Sequence, residues 1–245
     1  MKTLIFAKRN MKEIIRDPLT VFFGLCFPVI IMLLLTLIQS NIPTELFSIN
    51  KLAPGISVFG LSFISLFSGM LIAKDRSSAF CLRLYSSPIK PYQFISGYII
   101  PFIPLALLQS ALCLIIAIPL GLKPGIGMLT VLIASIPASF LYIGIGILCG
   151  TFLSDKQVGG ICGALLTNVS AWLSGIWFDL SLLGNTLEGI AKSLPFANAV
   201  ISVQTIFAGD LTAAVKPIII VSAYAVALFA GAVILFSVKI KSDNK

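Results

Sequence analysis

The stretch LTVFFGLCFPVIIMLLLTLIQ (residues 19–39) contains no charged side chain. A helix of roughly 20 apolar residues is long enough to cross the hydrocarbon core of a bilayer. The rest of the chain has the same character, since 58% of its 245 residues are hydrophobic and only 11% are charged. Soluble domains contain about 25% charged residues, and a single soluble core could not bury this much apolar surface. The sequence therefore predicts an integral membrane protein.

Five further apolar runs follow the first, and each is long enough for a transmembrane helix. None of the 17 basic and 9 acidic residues falls inside any of the six runs. The first run is too long for a signal peptide, so we expect it to stay in the protein. We predict one all-α membrane domain over residues 1–245, with six transmembrane helices at 19–39, 55–73, 95–119, 128–152, 158–178 and 217–238.

The basic residues are distributed unevenly between the two sides of these spans. Thirteen of the 17 lie on the side of the N terminus, and the other side has only Lys51, Lys123, Lys192 and Lys216. Cytoplasmic loops carry the excess of Lys and Arg. We therefore predict a multi-pass protein of the cell membrane, a bacterial inner membrane, with both termini in the cytoplasm. The net charge of +8 then indicates topology, and we expect no nucleic-acid partner.

Several function classes are excluded by composition. The chain has no histidine, which excludes a Ser-His-Asp triad, a Cys-His pair and a His-ligated metal site. No G-x-x-x-x-G-K-[ST] motif occurs, and no loop could house a nucleotide-binding domain. Spans without Asp, Glu, Lys, Arg or His also argue against proton-coupled antiport. We therefore predict no catalytic, cofactor-binding or metal-binding residue in this chain, and any active transport needs a separate energy source.

The first sixteen residues, within the segment 1–17 that precedes span one, are predicted to form an amphipathic helix on the membrane surface. Its basic residues Lys8, Arg9, Lys12 and Arg16 suit either a lipid anchor or a docking contact with a partner. Asp17 followed by Pro18 is typical of a helix cap and the first helical position of span one. Apolar residues at helical spacing would face the lipid: Leu4, Ala7, Met11, Ile14 and Ile15.

Two polar segments are long enough for short helices of their own. In KDRSSAFCLRLYSSPIKPYQF (residues 74–94), a helix ending before Pro88 would place Phe80 and Leu84 on one face. Such a helix suits insertion into a groove on a partner, although an ordinary positive loop also explains the segment. On the other side, residues 179–216 predict two helices separated at Pro195, which would form an external gate or pack at the outer leaflet.

Polar and small residues inside the spans admit two interpretations each. Four polar side chains are candidates for a substrate path, or for hydrogen bonds between helices: Gln109, Asn168, Ser174 and Trp177. Small residues four apart recur in spans four and five, and they allow close packing within one chain or across a dimer. The pairs are Gly146 with Gly150, Gly159 with Gly163, and Ala171 with Gly175.

Four stretches together resemble the type-2 ABC exporter permeases. They are RDPLTVFFGLCFPVIIMLL (16–34), KDRSSAFCLRLYSSPIKPYQFISGY (74–98), LSGIWF (173–178) and SLPFANAV (193–200). The LSG-x-x-F pattern, followed by L-P at 194–195, is the most specific of them. The family's frequent E-R is Asp75-Arg76 here, its usual G-T is Ser78-Ala79, and Asp179 stands where a proline is usual.

The resemblance implies a permease that pairs with a separate ATPase, usually as two permeases and two ATPases, and moves substrate outward. ATP and Mg would then be bound by the ATPase. Residues 75–87 would form a coupling helix in the ATPase, and the N-terminal helix a second contact. The implied coupling residues are Asp75, Arg76, Phe80, Arg83 and Leu84.

Three hypotheses follow from the residues and the resemblance. The first is the permease subunit of an ATP-driven exporter, acting as a homodimer or half of a heterodimer. Its substrate would be amphiphilic or hydrophobic because the spans carry no fixed charge: a drug, an antimicrobial peptide, a lipid or a lipid-linked glycan. The second is a carrier or channel independent of ATP, and the third is a membrane sensor or immunity protein that transports nothing.

Overall fold

In a computed structural model that describes residues 2–43, 47–78 and 91–243, every regular element is a helix. The all-helical class predicted from the sequence is confirmed over these residues. In chain order the helices are α1 (Lys2–Arg16), α2 (Pro18–Gln39), α3 (Ile49–Ser77), α4 (Pro91–Ala117), α5 (Ile126–Phe152), α6 (155–173), α7 (Asn185–Ser193), α8 (Pro195–Phe207) and α9 (Leu211–Asp243).

Local sequence explains where α1 ends and α2 begins. The Asp17 carboxylate accepts a hydrogen bond from the backbone N–H of Leu19 at 3.2 Å and one from the Thr20 hydroxyl at 2.6 Å. Pro18 occupies the first helical position, where its missing N–H is not needed. These residues cap α2 and place an elbow between the N-terminal helix and the first candidate span.

Five helices are long and apolar enough to cross a membrane: α2, α3, α4, α5 and the part Leu211–Phe236 of α9. They overlap the predicted spans one to four and six. Helices α7 and α8 are separated at the predicted break before Pro195, meet at 79°, and pass the same test only as a pair. The described residues therefore contain five candidate spans, or six if this bent pair is one broken span.

The predicted fifth span at 158–178 differs from the structure. Helix α6 covers residues 155–173, ends before the predicted boundary and is not among the candidate spans. Gly175 has a φ of +77°, a left-handed conformation that favours glycine, and this turn follows the helix. Ile176 beyond it is buried, and the Trp177 ring lies edge-on against Phe59 with centroids 6.0 Å apart. These residues are apolar because they pack against the protein rather than because they extend a span.

Helix α3 lies at the centre of the bundle. About 89% of its most apolar window is buried within the chain, compared with 28% for α2 and 17% for α9. Its closest neighbour is α5, where a Cβ added to Gly150 would lie 2.2 Å from the carbonyl oxygen of Gly69. The helices are equally close at Gly146, since a Cβ added to it would lie 2.1 Å from the carbonyl oxygen of Ser65. The predicted pair Gly146 and Gly150 therefore packs within the chain.

Helix α1 packs against the start of α4. The Phe6 ring lies 5.7 Å from the Phe94 ring and 5.0 Å from the Tyr98 ring, measured between centroids. The packed face includes Ala7 and Ile14 from the predicted lipid-facing set, whereas Leu4 and Ile15 of the same set are each 65% exposed. The prediction placed five apolar residues of α1 on one lipid-facing stripe that excluded Phe6, whereas contact with α4 buries Phe6 together with part of that stripe. The buried residues of α1 are Phe6, Ala7, Asn10 and Ile14.

Candidate functional site

A buried carboxylate lies where α1, α3 and α4 meet. Asp75, in the last turn of α3, is 3% exposed. Its two oxygens accept hydrogen bonds from the Arg9 guanidinium of α1, Nη1 to Oδ2 at 2.5 Å and Nη2 to Oδ1 at 2.9 Å. The Tyr98 hydroxyl of α4 donates a third bond to Oδ2 at 2.7 Å. Bidentate arginine–carboxylate pairs are among the stronger hydrogen-bonded contacts, so one side chain joins three helices.

Asn10 extends this contact along α4. Its side-chain Nδ2 donates to the backbone carbonyl of Gly97 at 3.0 Å, and its Oδ1 accepts from Arg9 Nη1 at 2.8 Å. The close approach of α1 to α4 requires glycine at position 97, because an added Cβ there would lie 2.3 Å from the Phe6 ring. We call the following four residues the polar clamp: Arg9, Asn10, Asp75 and Tyr98.

The charges of the polar clamp are compensated. The Asp75 side chain is 4% exposed and that of Arg9 is 36% exposed. Burial alone would lower the pKa of Arg9, but its hydrogen bonds and the charge of Asp75 raise it further, so the pKa lies above the ordinary value. Glu13 also contacts Arg9, with Oε2 2.6 Å from Nη2. Burial raises the pKa of Glu13, and the positive charge of Arg9 offsets that rise only in part.

Arg76 follows Asp75 in the chain, and its side chain contacts α5 rather than α1 and α4. Its Nη1 donates to the carbonyl oxygens of Gly150 at 2.7 Å and Leu153 at 3.3 Å, at the C-terminal end of α5. A cation is favourable there because the last carbonyls of a helix carry partial negative charge. Two consecutive residues thus tie the end of α3 to α1 and α4 on one side and to α5 on the other.

The predicted position of Asp75 and Arg76 on a coupling helix differs from the structure. Both lie in the last turn of α3, and Asp75 points into the bundle because Arg9 and Tyr98 satisfy its carboxylate. The other predicted coupling residues, Phe80, Arg83 and Leu84, lie outside the described residues. Because α4 begins at Pro91, the polar clamp holds the chain on both sides of residues 79–90.

The basic residues of α1 divide between two faces. Arg9 turns toward Asp75, whereas Lys8, Lys12 and Arg16 are exposed. Their spacing of four residues places these three on one face of the helix. With Arg9, Ile5 and Glu13 they line a shallow groove on the outside of α1. The helix therefore docks by one face and presents a basic face outward.

The family model described as ABC-2 type transporter matches residues 1–208. The chain belongs to the ABC-2 type transporter family. No curated protein matches it in sequence. The matched region contains the polar clamp, α1 and residues 79–90. Together with its apolar helices, the family identifies the chain as a multi-pass ABC transporter permease, a membrane subunit of a kind that normally pairs with an ATPase.

The four predicted path residues of this ABC-2 permease have different surroundings. Gln109 is fully buried on α4, its Oε1 has no hydrogen-bond partner among the described residues, and its Nε2 donates to the Cys113 sulfur at 3.3 Å. Asn168 is exposed and donates to the carbonyl of Ala164 on its own helix at 2.8 Å. Their roles in transport stay predictions.

The remaining two path residues lie near the turn after α6. Ser174 is 3% exposed and lines a cavity of about 400 Å³ with Lys51, Asp179 and other residues. Trp177 is half-buried and packs on Phe59, and within the described part of the chain its Nε1 has no hydrogen-bond partner.

The glycines predicted for dimer or helix packing in the permease have three different surroundings. An added Cβ on Gly159 would meet nothing within 4 Å, so this glycine has no close neighbour in the described chain. Gly163 faces Leu66 of α3 at 3.2 Å, which is packing within the chain. Gly175 is required by its left-handed turn. Dimer contacts at these positions stay predictions.

Sequence analysis of the permease missed Asn10 and Tyr98. A signal for Asn10 is present, since it lies four residues after Phe6 and four before Ile14, on the face that is buried. A polar residue on a buried helix face must find a hydrogen-bond partner. One partner of Asn10 is the neighbouring Arg9, but the other is the Gly97 carbonyl on α4, 87 residues away in sequence, which no local pattern indicates.

Proposed function

We propose that this ABC-2 permease is the membrane subunit of an ATP-driven exporter. It works with a separate ATPase, which binds ATP and Mg, and with a second permease copy as a homodimer or heterodimer. Residues 79–90 and the basic outer face of α1 form the two contacts with the ATPase.

The polar clamp is the observation that carries this proposal. Asp75 precedes residues 79–90 in the chain, and Tyr98 follows them. The Asp75 carboxylate accepts hydrogen bonds from both Tyr98 of α4 and Arg9 of α1, so it joins the three helices. Movement of the ATPase against residues 79–90 therefore moves α1, α3 and α4 as one unit. Arg76 extends the same connection to α5 through the carbonyls of Gly150 and Leu153.

Two further observations favour a second permease copy and an apolar substrate. Helices α2 and α9 leave most residues of their apolar windows incompletely buried in one chain, and this surface needs lipid or a second copy to cover it. The predicted spans contain no charged residue that would balance an ionic ligand. The substrate is therefore amphiphilic or hydrophobic: a drug, an antimicrobial peptide, a lipid or a lipid-linked glycan.

Co-expression with an ATPase encoded beside the permease tests the proposal. Phe80→Asp should abolish the complex if residues 79–90 insert into the ATPase. Gly97→Leu should keep the complex but reduce ATPase stimulation and transport, because the larger side chain displaces Phe6 and undocks α1. Gly231→Leu is the matched control, since an added Cβ there meets nothing within 4 Å.

The alternatives predict different results. Transport in liposomes that contain the permease and no ATPase would indicate a carrier or channel. Ligand binding without transport, with or without ATPase, would indicate a sensor or immunity protein. Equal loss of transport in Gly97→Leu and Gly231→Leu would remove the argument for force transmission through α1.

A further inference from the structure

A cavity of about 350 Å³ lies at the elbow between α1 and α2, against α3 and α4. Its volume is at the lower end of the roughly 300–1,000 Å³ of small-molecule sites. One part of its wall is apolar and comes from three helices: Ile14 of α1, Phe67, Met70 and Leu71 of α3, and Phe102 of α4. The rest of the wall is polar, so the cavity has an amphiphilic lining.

The charged groups of this elbow cavity are two carboxylates and two cations. Both carboxylates already have partners, because Glu13 pairs with Arg9 at 2.6 Å and Asp17 caps α2. Within the described part of the chain, neither Arg16 nor Lys74 forms an ion pair or a side-chain hydrogen bond. Lys74 attracts the Glu13 carboxylate at longer range, so the cavity presents two cations that form no ion pair among the described residues.

The position of the elbow cavity indicates the kind of ligand that carries the opposite charge. It lies where the helix of basic residues meets the start of the first candidate span, α2. Basic side chains near the ends of membrane helices extend to the level of the lipid headgroups. An anionic group joined to an apolar chain satisfies both parts of the lining, whereas a free anion leaves the apolar wall uncovered.

We propose that the elbow cavity binds an anionic lipid of the leaflet on the α1 side. Its phosphate lies between Arg16 and Lys74, and an acyl chain lies along Met70 and the accessible edges of Phe67 and Leu71. This site shares Arg16 with the outer face of α1 that we propose for the ATPase contact, but its occupation does not depend on the exporter function.

Lipid binding to the full chain, purified in detergent without any ATPase, tests the site. Native mass spectrometry would measure the retention of phosphatidylglycerol and phosphatidylcholine. The variant Arg16→Gln/Lys74→Gln should weaken phosphatidylglycerol binding by about fivefold for each charge removed, and phosphatidylcholine binding should be unchanged. Lys8→Gln/Lys12→Gln removes the same charge from the outer face of α1 and is the matched control.

Three outcomes would overturn the proposal. Equal weakening in the two double variants would indicate general attraction to a basic surface. Equal retention of both lipids by the unmodified chain would show that the headgroup charge is not recognised. Displacement of phosphatidylglycerol by inorganic phosphate, with Met70→Gln at the cavity wall having no effect, would assign the site to a free anion. Because no ATPase is present, none of these results bears on the exporter proposal.

Discussion

Neutralising the two charged partners of the polar clamp should have unequal effects on the docking of α1. Arg9→Gln leaves the carboxylate of Asp75, whose side chain is 4% exposed, without its guanidinium partner and with a hydrogen bond from the Tyr98 hydroxyl at 2.7 Å. Removing one partner of a buried ion pair costs roughly 3–5 kcal/mol. We expect about 3 kcal/mol, because the Arg9 side chain is 36% exposed and water enters when it is shortened.

Asp75→Asn should cost less. The remaining Arg9 guanidinium still contacts Glu13 and is partly in water, and an amide oxygen at position 75 still accepts the hydrogen bond from Tyr98. The expected loss is about 1–1.5 kcal/mol, the net value of an ordinary hydrogen bond. The double variant Arg9→Gln/Asp75→Asn should be less damaging than Arg9→Gln alone, because no uncompensated buried charge remains.

Hydrogen exchange followed by mass spectrometry measures how far each variant weakens the docking of α1. Loss of the clamp should speed exchange in α1, by about 100-fold for Arg9→Gln and about tenfold for Asp75→Asn, because 1.4 kcal/mol corresponds to a factor of ten. Exchange in the centre of α3 and α5 should not change, and Lys8→Gln on the exposed face is the control. Equal effects of the two single variants, with an additive double variant, would refute the reasoning.

Two further predictions concern the packing of α3 and α5. Gly150→Ala places a methyl group 2.2 Å from the carbonyl oxygen of Gly69, so the helices must separate, and unfolding in a denaturing detergent should show a loss of about 1–3 kcal/mol. Gly159→Ala has open space and should be neutral, and a loss as large as that of Gly150→Ala would contradict the packing argument. Arg76→Gln should speed hydrogen exchange in the last turn of α5 by about tenfold, the value of one charge-assisted bond at a partly exposed site. Arg76→Lys should recover part of that protection, and unchanged exchange in Arg76→Gln would show that the bond contributes nothing.

Local chemistry was sufficient for much of the fold. Uncharged runs of about 20 residues predicted membrane helices, and five of the six predicted positions overlap helices that meet this condition. Asp17 with Pro18 predicted the cap of α2, and Pro195 predicted the break between α7 and α8, because these residues act on the backbone next to them.

The candidate site depended on contacts that no local pattern contains. Arg9 and Asp75 are 66 residues apart in sequence, and their pairing turned two predicted partner contacts into an internal connection. The buried face of α1 and the end of α6 differ from prediction for a related reason. Hydropathy records that a side chain avoids water, but lipid and protein both satisfy that preference, and only the packed arrangement of the helices distinguishes between them.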